Sequence, residues 1–278
     1  MIIALLANPD SGDGDSSRVA RLLRKDGARV CEFAPDQAEQ AARSGVERLA
    51  IAGGDGSIAP AASAAGQAGI PVAVIPVGTA NDFAAAAGLP EDLDEACRLA
   101  ARGARRRPTD IAWLGERPFV NVASAGLAPA AARTASGLKG RLGSFAYLLG
   151  AIAAAARAQP VECALACDGR PLFSGKAWQA IVGCSGAFGA GASIGGSSDD
   201  GLLHAVAVPA GPRLALLRRA HGLRRGDIGE QSGVASGDGR RIDLDLPPGT
   251  ELNVDGELVE SGPVAVTVEP GAFELVVG

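Results

Sequence analysis

Apolar residues in the first hundred positions form short unbroken runs, separated by longer segments with helical spacing. Residues 2–7 read Ile-Ile-Ala-Leu-Leu-Ala, the pattern of a strand covered on both faces. Val19, Leu22 and Leu23 give residues 16–25 a helical stripe. The alternation continues with a strand at 28–33, a short helix at 36–43 and a strand at 49–52 that stops at Gly53-Gly54. An alanine-rich helix at 59–68, a strand at 71–75 and helices at 80–87 and 93–102 follow. Strand and helix in turn, with short links, predict a parallel sheet covered on both sides. Ligands of such a sheet bind beyond the C-terminal ends of its strands.

The pattern changes at Arg105-Arg106-Arg107-Pro108. Short strands bounded by turn residues are expected at 110–114, 119–123, 162–167, 177–182, 202–208, 241–246, 251–254, 264–268 and 273–277. A helical block at 138–158 and a basic helical stretch at 213–224 interrupt them. The expected architecture is an α/β domain with a parallel sheet over residues 1–110 and an antiparallel β-sandwich over 111–278. The last few residues of the chain are free to return to the first domain. No internal repeat is visible.

Composition narrows the function classes. At 278 residues the chain is long enough for about two domains. Aromatic residues are only 4%, which argues against a nucleic-acid binder built on stacking platforms, and the net charge of −5 argues against a general polyanion surface. No nucleic-acid partner is expected. The uncharged stretch 56–81 is broken by Pro60, Pro71 and Pro76, and the apolar segment 142–156 is shorter than the roughly 20 residues a membrane span needs. The N-terminus has no basic n-region. Cys31, Cys97, Cys163, Cys167 and Cys184 are scattered, without zinc-ligand spacing, and are expected to be reduced thiols of a cytoplasmic protein. Residues 213–225 are basic and amphipathic, so peripheral contact with anionic lipid is open, as is a homodimer.

The candidate chemistry lies where strands end. Gly53-Gly54-Asp55-Gly56-Ser57 follows an apolar strand and precedes a helix. Glycines there let the backbone approach a ligand, and the helix start offers free N–H groups to phosphate. Gly78, Thr79 and Asn81 follow the next strand, and Asn8, Pro9, Asp10, Ser11 and Gly12 follow the first. Neither a P-loop nor a dinucleotide-binding glycine fingerprint is present. On the residues alone, Glu257 and Asp200 read first as solvated turn residues, and Ser57 or Asp82 read equally well as helix caps. His204 and His221 are the only histidines, so acid–base work is expected of carboxylates.

Gly53-Gly54-Asp55-Gly56 followed by Pro76-Val77-Gly78-Thr79-Ala80-Asn81-Asp82-Phe83-Ala84 resembles the diacylglycerol kinase catalytic domain superfamily, and its soluble bacterial lipid kinases in particular. Asn8-Pro9-Asp10-Ser11-Gly12, Phe119-Val120-Asn121, Asp199-Asp200-Gly201-Leu202-Leu203 and Val254-Asp255-Gly256-Glu257 extend the resemblance over nearly the whole chain. It implies an NAD kinase/diacylglycerol kinase-like fold that binds ATP between its domains and phosphorylates a lipid hydroxyl such as that of diacylglycerol. By resemblance, Asn8 to Gly12, Gly53, Gly54, Gly56, Ser57, Gly78, Thr79 and Asn81 hold the nucleotide. Glu257 is the implied base, with Asp55 beside it as a second catalytic residue. Asp200, with the carbonyls of Ser197 and Leu202, is the implied Mg²⁺ set. A kinase of a soluble substrate such as NAD is the alternative, weakened because Ser57-Ile58-Ala59-Pro60 stands where Thr-x-Asn-Glu is usual. A catalytically silent binding protein of the same fold is the third reading.

Overall fold

The computed structural model describes residues 1–7, 16–78, 80–127, 159–187, 193–212, 216, 225 and 227–278. Asn8, Pro9, Asp10, Ser11, Gly12, Thr79 and His221 lie outside the described residues, as do the expected helix at 138–158 and nearly all of the basic stretch at 213–224.

The first third alternates as its pattern predicts. β1 (Ile2–Ala7), α1 (Ser16–Lys25), β2 (Arg29–Phe33), α2 (Ala38–Ala42), β3 (Arg48–Gly53), α3 (Asp55–Gln67), β4 (Val72–Pro76), α4 (Asp82–Ala86) and α5 (Leu93–Arg102) follow in order. The strands pair in parallel as β2-β1-β3-β4. Alternate side chains leave opposite faces. Ile3, Leu5, Ala50 and Ile75 pack with Val19 and Leu23 of α1 and Cys97 of α5. Ala4, Leu6, Ile51 and Val74 pack with Ala41 of α2, Ile58 of α3 and Phe83 of α4. α3 begins four residues earlier than its apolar periodicity suggests, directly on Asp55. This places Pro60 inside the helix rather than in its first turn. Pro60 has no N–H, so the Gly56 carbonyl lacks its usual helical donor.

After α5 the described strands are β5 (Arg105–Leu114), β6 (Arg117–Phe119), β7 (Val122–Gly126), β8 (Val161–Cys167), β9 (Arg170–Gly183), β10 (Leu203–Pro209), β11 (Ala235–Gly239), β12 (Arg241–Asp245), β13 (Thr250–Val254), β14 (Glu257–Ser261) and β15 (Val264–Val277), with a 3₁₀ turn at Ile228–Glu230. Nearly all of these pairings are antiparallel, and they enclose a second core around Phe119, Leu165, Val182, Leu203, Ile242 and Leu252. β11 (Ala-Ser-Gly-Asp-Gly) and β14 (Glu-Leu-Val-Glu-Ser) lack an apolar alternation, and the sequence reading passes over both. The single strand expected at 119–123 breaks into β6 and β7 at Val120-Asn121, where a side chain replaces the ladder partners (below).

β15 joins the two halves. Its first part pairs with β12 and β5; its last part stays on β5 and pairs in parallel with β4 at Leu275–Val72. The strands expected separately at 264–268 and 273–277 are therefore one strand, bulged between Glu269 and Phe273. Gly271 takes φ +60° in the bulge, and its N–H donates to Asp110 Oδ1 at 2.8 Å. The arginine run lies along the same seam, with Arg105 and Arg106 exposed. Arg105 donates to the Gly278 carbonyl, Arg106 pairs with Glu274 at 2.9 Å, and Arg107 reaches Asp199 at 3.9 Å.

Phe273 is 2% exposed, and its ring centroid lies 6.5 Å from that of Phe83. Phe273→Ala is expected to cost about 3–5 kcal/mol in urea denaturation, the usual loss for a buried phenylalanine. A loss under about 1 kcal/mol would contradict the packing role of β15. Among the five cysteines only Cys31 is exposed, and burial pushes the Cys97 thiol up to about 12 and the Cys163 thiol up to about 11. A thiol reagent applied to the native protein at neutral pH should therefore modify one cysteine rapidly, and denaturation should release the rest.

Candidate active site

Two loops leave the parallel sheet side by side. Gly54 follows β3 and caps α3 without a side chain, so no cap group covers the N–H groups of the first turn. Gly78 follows β4. A methyl on Gly78 would lie 2.5 Å from the Gly54 Cα, and one on Gly53 would lie 2.2 Å from Ser57 Oγ. At Gly78 the loops touch backbone to backbone, which excludes a β-carbon there, whereas at Gly53 the neighbour is the Ser57 side chain of the same loop. Asn81 adopts the left-handed region at φ +54° and braces Gly78 reciprocally: Oδ1 accepts the Gly78 N–H and Nδ2 donates to its carbonyl, each at 2.9 Å. Ser57 Oγ donates to the Gly54 carbonyl at 2.7 Å. The hydrogen bonds of both side chains thus shape the loops that the sequence marks for phosphate.

Asp55 ties the loops together. Its carboxylate accepts the N–H of Asp82 at 3.1 Å and of Phe83 at 2.8 Å, capping α4 from the neighbouring loop. It also accepts from Asn121 Nδ2 at 3.0 Å, across from the sandwich. Asn121 Oδ1 in turn accepts from Ser185 Oγ at 2.8 Å. The start of α4 is therefore filled by a carboxylate, and the open helix start is that of α3.

The sandwich contributes the β13–β14 hairpin. Asp255 and Gly256 take φ +47° and +92°, the two positive values of a type I′ turn. The Asp255 carboxylate points back and accepts the N–H groups of Val120, Asn121 and Val122 at 2.8–3.0 Å. These are the groups the broken 119–123 strand would have given to a ladder. Desolvation by burial pushes the Asp255 carboxyl up to about 7, with the Asp55 charge adding to it and the three N–H bonds opposing it. The turn carries Glu257 to the mouth of a cleft of about 360 Å³ between Gly56 and Pro60 of α3, the Arg117-Pro118 edge and Val254. Glu257 Oε1 lies 3.0 Å from where a methyl on Gly56 would sit, and Oε2 accepts from Arg117 Nη2. Glu257 thus meets the glycine loop from the sandwich, while Asp55, part of that loop, turns its carboxylate to α4 and Asn121.

Asp200 lies apart from the cleft-lining residues. Its carboxylate accepts the N–H of Ser197 at 3.1 Å and of Leu202 at 2.9 Å, and meets His204 Nε2 at 3.0 Å. His204 Nδ1 is 2.8 Å from Asp238. The adjoining Gly201 N–H donates to Asp110 at 2.7 Å. Burial raises the Asp110 carboxyl, and the Asp200 and Asp199 charges add to that. Among the described residues no three His, Cys, Asp or Glu side chains converge on one point, so an ion at this turn would depend on backbone carbonyls and water beside Asp200.

Residues 3–113 match the family model of the diacylglycerol kinase catalytic domain, and residues 121–277 match that of the YegS C-terminal NAD kinase beta sandwich-like domain. The chain belongs to the diacylglycerol kinase catalytic domain superfamily. A Pseudomonas aeruginosa protein named probable lipid kinase YegS-like is 31% identical over 248 residues, covering 85% of this chain and 78% of that one. A Salmonella heidelberg protein named probable lipid kinase YegS is 29% identical over 285 residues, covering 97% and 93%. The crystal structure of a diacylglycerol kinase from Bacillus anthracis superposes with TM-score 0.79 at 21% identity, over 100% of this chain and 96% of that one, which shows a shared fold. As a member of this kinase superfamily the protein is a phosphotransferase acting on an alcohol group.

Within the superfamily's motifs, the sequence reading gave roles to Glu257 and Asp55 and none to Asp255, Asn121 or Arg117. Asp255 looks like an ordinary Asp-Gly turn residue, and nothing local shows that its acceptors lie on residues 120–122. The folded carboxyl sits near 7 against an ordinary 3.8. Between those values the folded state holds a proton that the unfolded chain releases, so this group's contribution to stability falls as pH rises through that window. The melting temperature of Asp255→Asn should therefore change less steeply from pH 4 to 7 than that of the wild type. Parallel curves would remove Asp255 from this account.

Proposed function

We propose that the protein is an ATP-dependent lipid kinase that transfers the γ-phosphoryl group to a hydroxyl of a diacylglycerol-like lipid. The supporting observation is the placement of Glu257, a carboxylate of the β-sandwich, against Gly56 at the open start of α3. The phosphates lie along residues 53–57, beside Gly78, where the N–H groups at the start of α3 and the α3 dipole receive negative charge. Residues 8–12 and Thr79 complete the nucleotide set on the strength of the family motif. Glu257 takes the proton of the acceptor hydroxyl while its oxygen bonds to the γ-phosphorus. The bond from that phosphorus to the bridging oxygen breaks, and ADP leaves. Asp55 keeps the loops in register through α4 and Asn121.

Mg²⁺ supplies charge neutralisation to ATP-dependent phosphoryl transfer. Asp200 with the carbonyls of Ser197 and Leu202 is an all-oxygen set of the kind Mg²⁺ accepts, and we assign a structural ion to it. Contact with an anionic lipid surface is assigned to the basic sequence of residues 213–225.

Mixed micelles of diacylglycerol with labelled ATP test the reading. Phosphorylated lipid should form with Mg²⁺ present, and NAD in place of lipid should give none. Glu257→Gln should lower kcat by roughly 10²–10⁴-fold, the range for a general base, with the ATP KM little changed. Lipid phosphorylation by Glu257→Gln at the wild-type rate would remove the base from the proposal, and phosphorylation of NAD alone would replace the substrate class. In a separate measurement, Mg²⁺ should raise the melting temperature of the wild type and not of Asp200→Asn.

A further inference from the structure

Neither glycine loop of the first lobe carries a cation. From residue 49 through residue 97 the sequence contains neither Lys nor Arg, and the first basic residue of the chain is Arg18. A triphosphate at the start of α3 would therefore meet N–H groups and a helix dipole but no basic side chain from either strand-end loop. Phosphoryl transfer needs positive charge at the moving group, which other phosphotransferases draw from Lys, Arg and bound metal. The cleft is otherwise acidic, lined by Glu116, Asp255 and Glu257. Arg117 is its one basic side chain among the described residues.

Arg117 is built to move its side chain and hold its backbone. Its strand is pinned on one side by pairing of Arg117 with Leu114, and at Val120 by the Asp255 carboxylate. Its guanidinium rests on Glu257, and the two side chains are 40% and 57% exposed. An ion pair that open to water is only weakly held. A dianionic phosphoryl group arriving beside Gly56 offers the guanidinium a planar, two-point partner that a single carboxylate oxygen does not.

The geometry points to Arg117 as a catalytic residue supplied by the sandwich. In the free enzyme it rests on Glu257. With nucleotide bound it leaves Glu257 for the γ-phosphoryl oxygens, and so bares the carboxylate that takes the acceptor's proton. This role rests on the kinase reading above and adds to it the cation that the first lobe lacks.

Calorimetric titration with ADP and Mg²⁺, with and without aluminium fluoride as a stand-in for the transferring phosphoryl group, tests the role without any lipid. Wild type should bind the fluoride complex more tightly than ADP alone. Arg117→Ala should bind ADP within about twofold of wild type, which also shows that it folds, and lose roughly 10- to 100-fold of the fluoride-dependent gain, the worth of a charge-assisted contact. Arg117→Lys should recover part of that gain, since it keeps the charge without the fork. Glu257→Gln should keep the gain, because its proposed partner is the acceptor. A full fluoride gain in Arg117→Ala, or an equal loss for ADP alone, overturns the role of Arg117 and leaves the kinase reading standing. No ADP binding by wild type defeats the kinase reading, and the role of Arg117 with it.

Discussion

Two carboxylates turned inward carry the geometry of the cleft. Asp55 accepts from the first N–H groups of α4 and from Asn121, so one side chain fixes the distance between two loops and between two lobes. Asp255 accepts three consecutive N–H groups from the segment that holds Asn121. The two carboxylates therefore grip the same short stretch from opposite sides. Buried backbone donors must find acceptors, and here the acceptors come from residues that also set the position of Glu257. The elevated carboxyl of Asp255 is the cost of burying it away from water, with the Asp55 charge adding to that.

That local clamp is reinforced by a global one. β15 crosses from the sandwich into the parallel sheet, and β5 runs beside it for ten residues. The bulge that redirects β15 is held by Asp110, which also holds the Asp200 turn through Gly201. The lobes are thus joined by continuous strand pairing and not by a flexible linker. The arginines of 105–107 point their charges at the Gly278 carbonyl, at Glu274 and at Asp199, so the run at which the sequence pattern changes lies on a seam of the fold.

What could be read ahead follows from how local each cause is. The parallel sheet was legible because β1, β3 and β4 are apolar on both faces and their helices carry stripes. The glycine loops were legible because Gly-bearing turns recur at the ends of successive apolar strands. The start of α3 was hidden, since its first turn is made of residues that helices elsewhere avoid. β11 and β14 were hidden because an edge or half-exposed strand of Gly, Ser, Asp and Glu has no period-2 signal. The split of β6 from β7 could not be read at all. Its cause, Asp255, lies more than 130 residues away in sequence. The hydrogen bonds of Asn81 and Ser57 were hidden as well, because both side chains hold the backbone of their own loop.

The central claim is that the open start of α3 receives the terminal phosphates of a nucleotide within reach of Glu257. A crystal structure with ADP and Mg²⁺ addresses it most directly. The account predicts the β-phosphate on the N–H groups of residues 54–57, beside Gly78, with the Glu257 carboxylate facing the space beyond it. Phosphates bound away from the β3–α3 turn, or a Glu257 carboxylate directed out of the cleft in that complex, would contradict it.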